Sequence, residues 1–275
     1  MQINLLVGTQ VASYFDRAIS WLSYADRIYQ LPLGVVGIAI GVVLLPELSR
    51  RFRASDSAGT ADAMNRATEF TMILTIPAAV ALVAIPDLIV RVLFERGSFS
   101  AIDTAATANA LAIYALGLPS FVLQKVLQPA WFAREDTKTP LRYAVISMIV
   151  NIALAIGLAP VFGFLAAAIG TTVAGWANVL LLWRGVHRLD PALTMDARLR
   201  YRAPRILGSA LIMGGVAYAL SVWLSNAIPS SILTFLIVFV SAVLLYFVLA
   251  APLGAFRPSD IRQAMRRDSA KDQSL

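Results

Sequence analysis

The chain has 275 residues, of which 59% are apolar and 14% are charged, and its formal net charge is +7. A mean hydropathy of +0.73 exceeds what the core of a water-soluble domain accommodates, so the composition predicts a membrane protein. The absence of cysteine excludes disulfides and thiolate metal sites. The one histidine, His187, has no second histidine or cysteine to form a ligand set, which predicts a residue of a solvated loop.

Eight apolar runs follow one another along the sequence, and seven of them are long enough to cross about 30 Å of hydrocarbon as helices. They cover residues 3–15, 20–48, 67–94, 105–132, 141–162, 164–183, 204–228 and 231–256. The first run is short and lacks the basic segment and cleavage site of a signal peptide, so we expect a helix that has lost its beginning. The continuous runs predict an all-α polytopic membrane protein with about eight transmembrane helices.

Basic residues alternate between the two sides of these predicted crossings. Most of the 23 Lys and Arg residues lie in the connections that follow the second, fourth, sixth and eighth runs. The connections after the other runs hold at most Arg17, Arg27, Arg91 and Arg96. The positive-inside rule therefore places the C-terminus in the cytoplasm. Topology explains the basic excess, and nucleic acid is not expected as a partner.

Smaller signals predict local features of the helices. Residues 50–66 predict a short surface helix before the third crossing. Prolines within or near the ends of the runs predict bends or breaks, and they lie at positions 32, 77, 86, 119 and 129. Gly34, Gly37 and Gly41 recur at a spacing that is typical of helix contacts.

The sequence carries no constellation of residues that points to bond-making chemistry. A glycine-rich phosphate loop, a nucleophile elbow and a histidine-carboxylate metal spacing are all absent, so we expect neither an enzyme nor a cofactor or metal. Polar residues inside the runs are expected to form hydrogen bonds between helices for the most part. They are Asp26, Arg27, Asn109, Gln124, Lys125, Gln128, Asn151, Thr171, Thr172 and Asn178.

Arg27, in the stretch "YADRIYQLP" at 24–32, is the sharpest of these residues. One interpretation is an interfacial arginine that extends towards the headgroups beside Tyr24 and Tyr29. The other is a ligand for a diphosphate, since a guanidinium fork suits that group and Asp26 supplies a neighbouring carboxylate. The residues alone leave both interpretations open.

Three segments resemble the MurJ/MviN lipid II flippases of bacterial peptidoglycan synthesis, within the multidrug, oligosaccharidyl-lipid and polysaccharide exporter superfamily. They are "YADRIYQLPLGVVGIAIGVVLLPELSR" (24–50), "VLFERGSFSAID" (92–103) and "KVLQPAWFAREDTKTPLR" (125–142). The resemblance covers essentially the whole chain and aligns it with the second half of a fourteen-helix, MATE-like exporter fold. It implies a second six-helix lobe, a cytoplasmic basic loop, two additional C-terminal helices and a cytoplasmic basic tail. These parts would cover residues 1–188, 189–203, 204–256 and 257–275.

The same resemblance implies a function and a set of site residues. The family moves lipid II, a polyprenyl-pyrophosphate disaccharide pentapeptide, from the inner to the outer leaflet of the bacterial cytoplasmic membrane by alternating access. Arg27, with Asp26, is implied to bind this substrate. The family-motif loop is represented by Arg134, Asp136 and Lys138.

A sodium site of some family members is matched only in part. Asn151 and Thr171 fit its spacing, but Gly8 and Ala155 stand where its carboxylates would be. We therefore expect a polar remnant within the bundle and no sodium or other metal.

The expected partners are lipid II, membrane lipids and an N-terminal lobe that the sequence does not contain. A lone second lobe cannot enclose a cavity between two lobes. Two alternatives stay open at this point: an exporter of drugs or lipid-linked polysaccharides from the same superfamily, and a truncated fragment that transports nothing.

Overall fold

The computed structural model describes residues 8–54, 56–189, 193–252 and 254, and for 38–45, 52 and 53 it describes only the backbone. This part of the chain is helical throughout and contains no strand. After a short helical segment at 8–12, the helices are α1 (Ala18–Arg53), α2 (Ser57–Ala84), α3 (Pro86–Phe94), α4 (Ala101–Leu127), α5 (Pro129–Phe132), α6 (Lys138–Phe162), α7 (Leu165–Leu189), α8 (Ala197–Ala227) and α9 (Ser231–Ala250).

Six helical segments in the described residues are long and apolar enough to cross a membrane. They are Ser57–Ala84, Ala101–Phe132, Lys138–Phe162, Leu165–Leu189, Ala197–Ala227 and Ser231–Ala250. They correspond to the third to eighth apolar runs and confirm the predicted all-α, multi-pass fold. The second run lies within α1, whose 36 residues extend for roughly 54 Å at 1.5 Å per residue. Residues 3–7 of the first run and the tail from 257 lie outside the described residues.

Helix α2 begins earlier than the sequence predicted and continues without interruption. The Asp56 side chain accepts a hydrogen bond from the backbone N–H of Gly59 at 2.8 Å and so caps the helix. From this cap a single helix continues to Ala84. The predicted surface helix within 50–66 is therefore wrong as a separate element, because its residues form the end of α1 and the first turns of α2.

Proline breaks the third apolar run at one position only. Helix α2 ends before Ile85, and Pro86 occupies the first position of α3, where a missing backbone N–H costs nothing. The prolines inside continuous helices are Pro32, Pro46, Pro77, Pro119 and Pro160. Pro129 begins the short helix α5.

Helix α4 lies at the centre of the molecule, where it contacts α1, α2, α3, α5 and α7. Its Leu111, Leu118 and Val122 are fully buried. Helix α6 packs on α7 at the edge, and its outer face exposes apolar side chains such as Ile149 and Ile156. Exposed apolar area on this scale suits lipid rather than water. We refer to α1–α7 as the lobe.

Helices α8 and α9 pack against each other and against α2 and α3 on one side of the lobe. The Tyr246 hydroxyl of α9 donates a hydrogen bond to the backbone oxygen of Ile73 in α2 at 2.9 Å. The Asn65 amide of α2 donates to the backbone oxygen of Thr194, just before α8, also at 2.9 Å. We refer to α8 and α9 as the helix pair.

A group of charges, of which Glu69 and Arg202 are buried, joins the start of α8 to α2. The Glu69 carboxylate, with only 4% of its side chain exposed, forms ion pairs with Arg66, Arg202 and, at 3.0 Å, Arg198. Arg66 also pairs with Asp196, which caps α8. We call these five residues the Glu69 cluster. Each charge has an opposite charge beside it, which is the condition under which burial of ions is tolerated.

Candidate functional site

One face of α1 carries a line of polar and small residues, which we call the α1 stripe. It consists of Ser23, Asp26, Arg27, Gln30 and Gly34, whose spacing places them near one another on a helix surface. Ser23, Arg27 and Gln30 are exposed, while Asp26 and Gly34 are half-buried. The lobe therefore presents charge on a surface that no described helix covers.

Aromatic packing on the opposite face of α1 fixes the direction of the stripe. Tyr29 is buried and stacks on Tyr114 of α4, with ring centres 5.3 Å apart and ring planes at 22°. Phe121 lies 5.9 Å from the same ring. Aromatic pairs of this geometry stabilise helix contacts beyond the area that they bury. With Tyr29 held against α4, the stripe must face away from the centre of the lobe.

Arg27 and Asp26 do not pair with each other, although they are neighbours in sequence. The Gln30 amide, one helical turn further on, donates a hydrogen bond to the Asp26 carboxylate. Adjacent residues of a helix point in different directions, so a partner four residues away is favoured over one next in sequence. Among the described residues, Arg27 has neither a hydrogen-bond nor an ion-pair partner. Its exposed guanidinium can therefore receive an anion from outside the lobe.

The two tyrosines near Arg27 do not form an exposed interfacial belt with it. Tyr24 packs between Phe94 and Phe99, at ring-centre distances of 4.7 and 5.4 Å. Tyr29 faces α4. Both rings therefore pack against the lobe, whereas Arg27 lies on the exposed α1 stripe.

Polar contacts join the start of α1 to the start of α4. The Trp21 indole N–H of α1 donates to the Asp103 carboxylate at 2.8 Å, and Arg17 lies 3.5 Å from the same carboxylate. Asp103 also accepts from Ser100 in a reciprocal capping box. These contacts fix the start of α1, two turns before Arg27.

The family-motif loop lies beyond the other end of α4, away from Arg27. Asp136 accepts hydrogen bonds from the Thr139 backbone N–H (3.0 Å), the Thr139 hydroxyl (2.7 Å) and the Lys138 backbone N–H (3.0 Å). These donors, the Thr139 N–H foremost, lower the pKa of the Asp136 carboxyl group. Lys138 is exposed and Arg134 is half-buried. The loop acid therefore organises the start of α6, and the structure does not bring this loop to the α1 stripe.

Asn151 and Thr171 meet at the contact of α6 with α7. Asn151 is buried and lies directly on Gly170, where an added Cβ would be 2.6 Å from the Asn151 side-chain oxygen. That oxygen has no hydrogen-bond partner in the described part of the chain. The Thr171 hydroxyl donates to the backbone oxygen of Ala167 at 2.9 Å. Within the described residues no group of three or more His, Asp or Glu side chains could hold a metal ion.

His187 does not lie in a loop, so that prediction is wrong. It occupies the last turn of α7, is half-buried and lies 5.2 Å from the Trp183 ring. The apolar run ended at residue 183. The helix continues to Leu189, and its last turn contains His187 and Arg188.

Sequence reasoning missed Glu69 and the tertiary contact of Lys125. Glu69 lies inside the third apolar run, and the available signal was Arg66 three residues earlier, on the same helix face. Lys125 was predicted only as one of the polar residues inside the runs, and its contact with Gly37 of α1 is a tertiary one that no local pattern indicates.

The fold and the stripe together define a polytopic helical membrane protein with an open polar face, which carries Arg27, on one helix of its lobe. Residues 1–239 match the family described as lipid II flippase MurJ. The chain belongs to this family, as the three sequence segments predicted.

Individual relatives agree with the family assignment. Proteins named probable lipid II flippase MurJ from Rhizobium meliloti (strain 1021) and Rhizobium tropici are 46% and 44% identical to the chain, over 98% and 97% of its length. A solved structure named "Lipid II flippase MurJ, inward closed conformation" superimposes with a TM-score of 0.77 at 30% identity, over 90% of this chain. The aligned part is 51% of each relative and 50% of the solved chain, so the chain spans about half their length.

Proposed function

We propose that the chain is the second lobe of a lipid II flippase, and that Arg27 binds the diphosphate of the lipid. The observation that carries the proposal is an exposed arginine without a described partner, on a stripe that faces away from the lobe. The names of the relatives give the substrate class. In this proposal residues 1–188 act as the lobe, and 204–256 act as an additional helix pair beside it.

A guanidinium fork suits this task because it donates two parallel hydrogen bonds to phosphate oxygens and keeps its charge at every physiological pH. Asp26, held by Gln30, stands one residue away without neutralising Arg27. We assign to the half-buried Asp26 carboxylate the role of accepting from a donor of the sugar or peptide headgroup. No covalent bond is made or broken, and the lipid leaves chemically unchanged.

The open face of α1 requires a second surface to complete a cavity. Because the chain aligns with about half of each relative, that surface would be a first lobe, carried on the same or another polypeptide. Alternating access then follows if the two lobes tilt about a substrate held between them.

We further propose that the end of the lobe carrying Asp136 faces the cytoplasm of a bacterial inner membrane. Basic residues are concentrated at this end, as the positive-inside rule requires. They include Arg50, Arg51, Arg134, Lys138, Arg142, Arg184, Arg188, Arg198 and Arg200.

Complementation tests this function. The chain is produced in a strain whose own lipid II flippase is depleted, alone and together with the first half of a relative. We expect growth when a first lobe is present, loss of growth with Arg27→Ala, and normal growth with Arg200→Ala, which removes an exposed arginine of α8. Membrane levels of all variants are compared by immunoblot.

Two results would contradict the proposal. Full growth with Arg27→Ala at normal membrane levels would remove Arg27 from the substrate site. Failure of the chain to restore growth with any first lobe, while it is present in the membrane, would identify it as a fragment that does not transport.

A further inference from the structure

Lys125 is a cation inside a membrane-spanning helix that the proposed function does not yet use. It lies in the last turn of α4, within the candidate span Ala101–Phe132, and is half-buried. Ionisable side chains at such positions are costly and usually have a functional reason.

The Lys125 side chain lies across α1 at Gly37. A Cβ added at Gly37 would be 2.6 Å from Lys125 Cδ, 2.7 Å from Cε and 3.7 Å from Nζ. Any larger residue at position 37 would push the lysine away, so glycine is what allows the ammonium group to reach this face of α1.

Within the described residues no carboxylate forms an ion pair with Lys125. The adjacent amide, Gln124, is already engaged, since it accepts from Asn178 at 2.8 Å and donates to the backbone oxygen of Gly175 at 3.2 Å. The ammonium group of Lys125 is therefore available to an anion that comes from outside the chain.

Gly37 lies beside the α1 stripe, on the buried part of α1 that Lys125 covers. It follows Gln30 by seven residues, which is two helical turns, and follows Arg27 by ten residues, or about 15 Å along the axis. Between them lies Gly34, where an added Cβ would meet nothing within 4 Å. Gly34 is thus a gap on this surface, between the exposed side chains of Gln30, Leu31 and Val35.

We propose that Lys125 is a second binding station for the lipid diphosphate, and that the open backbone at Gly34 forms the floor between this station and Arg27. The proposal rests on the proposed function and names a further residue for the same substrate. The axial rise of about 15 Å from Arg27 to Gly37 exceeds the length of a diphosphate, so we assign the group to the two cations in turn. Arg27 holds it nearer the end of the lobe where α1 begins, and Lys125 holds it nearer the end where α4 finishes.

The cysteine-free chain allows each station to be probed separately. Ser23→Cys places a thiol one turn from Arg27, and Gly34→Cys places one a turn from Gly37. Each variant is reconstituted in nanodiscs, and its rate of alkylation is measured with and without undecaprenyl diphosphate. We expect the lipid to slow alkylation at both positions.

Second substitutions assign the protection to each cation. Lys125→Gln should abolish protection at position 34 and retain it at position 23. Arg27→Gln should abolish protection at position 23 and retain it at position 34. Each substitution should weaken binding of the lipid diphosphate at its own station roughly tenfold. Inorganic pyrophosphate and phosphatidylglycerol are tested in parallel. Protection by undecaprenyl diphosphate alone indicates a lipid diphosphate, and equal protection by pyrophosphate indicates the diphosphate group without its lipid.

The outcomes separate the two proposals. Arg27-dependent protection at position 23, with protection at position 34 absent or insensitive to Lys125→Gln, would overturn the second station and leave the proposed function standing. Protection at neither position, or equal protection by phosphatidylglycerol, would overturn both.

A matched pair of glycine substitutions tests the floor by growth. Gly34→Leu fills the path, whereas Gly157→Leu adds the same side chain at an exposed glycine of α6 that also has open space around it. With a first lobe supplied, we expect loss of complementation for Gly34→Leu only. Equal growth of both variants would exclude Gly34 from the path of the headgroup.

Discussion

The α1 stripe and the Glu69 cluster place charge in the membrane-spanning part of the same chain in opposite ways. In the cluster, a carboxylate with 4% of its side chain exposed lies beside three arginines from two helices. In the stripe, Arg27 is exposed and has no partner among the described residues. Partnered, buried charge fastens helices together, and open, unpartnered charge remains available to a ligand. The comparison predicts that substitutions in the cluster affect stability and that substitutions in the stripe affect substrate binding.

The largest effect on stability is expected for Glu69→Ala. It would remove the buried carboxylate that Arg66, Arg198 and Arg202 share, and breaking a buried ion pair typically costs about 3–5 kcal/mol. Unfolding in mixed detergent micelles, followed by circular dichroism, measures the loss. A change below about 1 kcal/mol would show that solvent reaches the cluster and that its charges are weakly coupled.

Arg27→Ala is expected to weaken substrate binding and to leave stability nearly unchanged. Because the side chain is exposed and has no described partner, the free energy of unfolding should change by less than about 0.5 kcal/mol. Lipid diphosphate binding should weaken at the same time. Equal losses of stability and binding would make Arg27 a structural residue and remove the contrast with Glu69.

Gly170→Ala tests the tight contact between α6 and α7, which lies in neither region. The new Cβ would be 2.6 Å from the Asn151 side-chain oxygen and 2.9 Å from its backbone oxygen, so overpacking should cost about 1–3 kcal/mol. The same detergent unfolding measurement applies. Gly157→Ala, in open space on α6, is the control and should not destabilise the chain.

The smallest effect on stability is expected from protonation of the Asp136 carboxylate at low pH. Its folded-state pKa is lowered, so it contributes stability that is fully present above its unfolded pKa of about 3.9 and is lost as pH falls through the folded value. The stability difference between the wild type and Asp136→Asn should be constant from about pH 5 to 7 and shrink below about pH 4. A difference that grows on acidification would contradict the assigned hydrogen bonds.

The fold was predictable from sequence because lipid imposes a simple rule. Backbone groups in hydrocarbon must pair within a helix, so each long apolar run predicts one crossing. The partner of Asp26 was predictable as well, since i to i+4 contacts on a helix lead to Gln30 rather than Arg27.

Contacts between distant residues were not predictable in this way. Glu69 and Arg202 are 133 residues apart in sequence, and no local pattern marks the pair. The contact of Lys125 with Gly37 depends on how α4 crosses α1. Hydropathy also treated His187 as a loop residue, because it registers the apolar part of a helix and not the polar turn that extends it.

The most direct measurement of the central claim is the affinity of the chain for lipid II in nanodiscs. Arg27→Ala should bind lipid II about tenfold more weakly than the wild type, because a charge-assisted contact is lost. The affinity of Arg200→Ala should equal that of the wild type. Equal affinity of the wild type and Arg27→Ala, in preparations with equal thermal stability, would contradict the account.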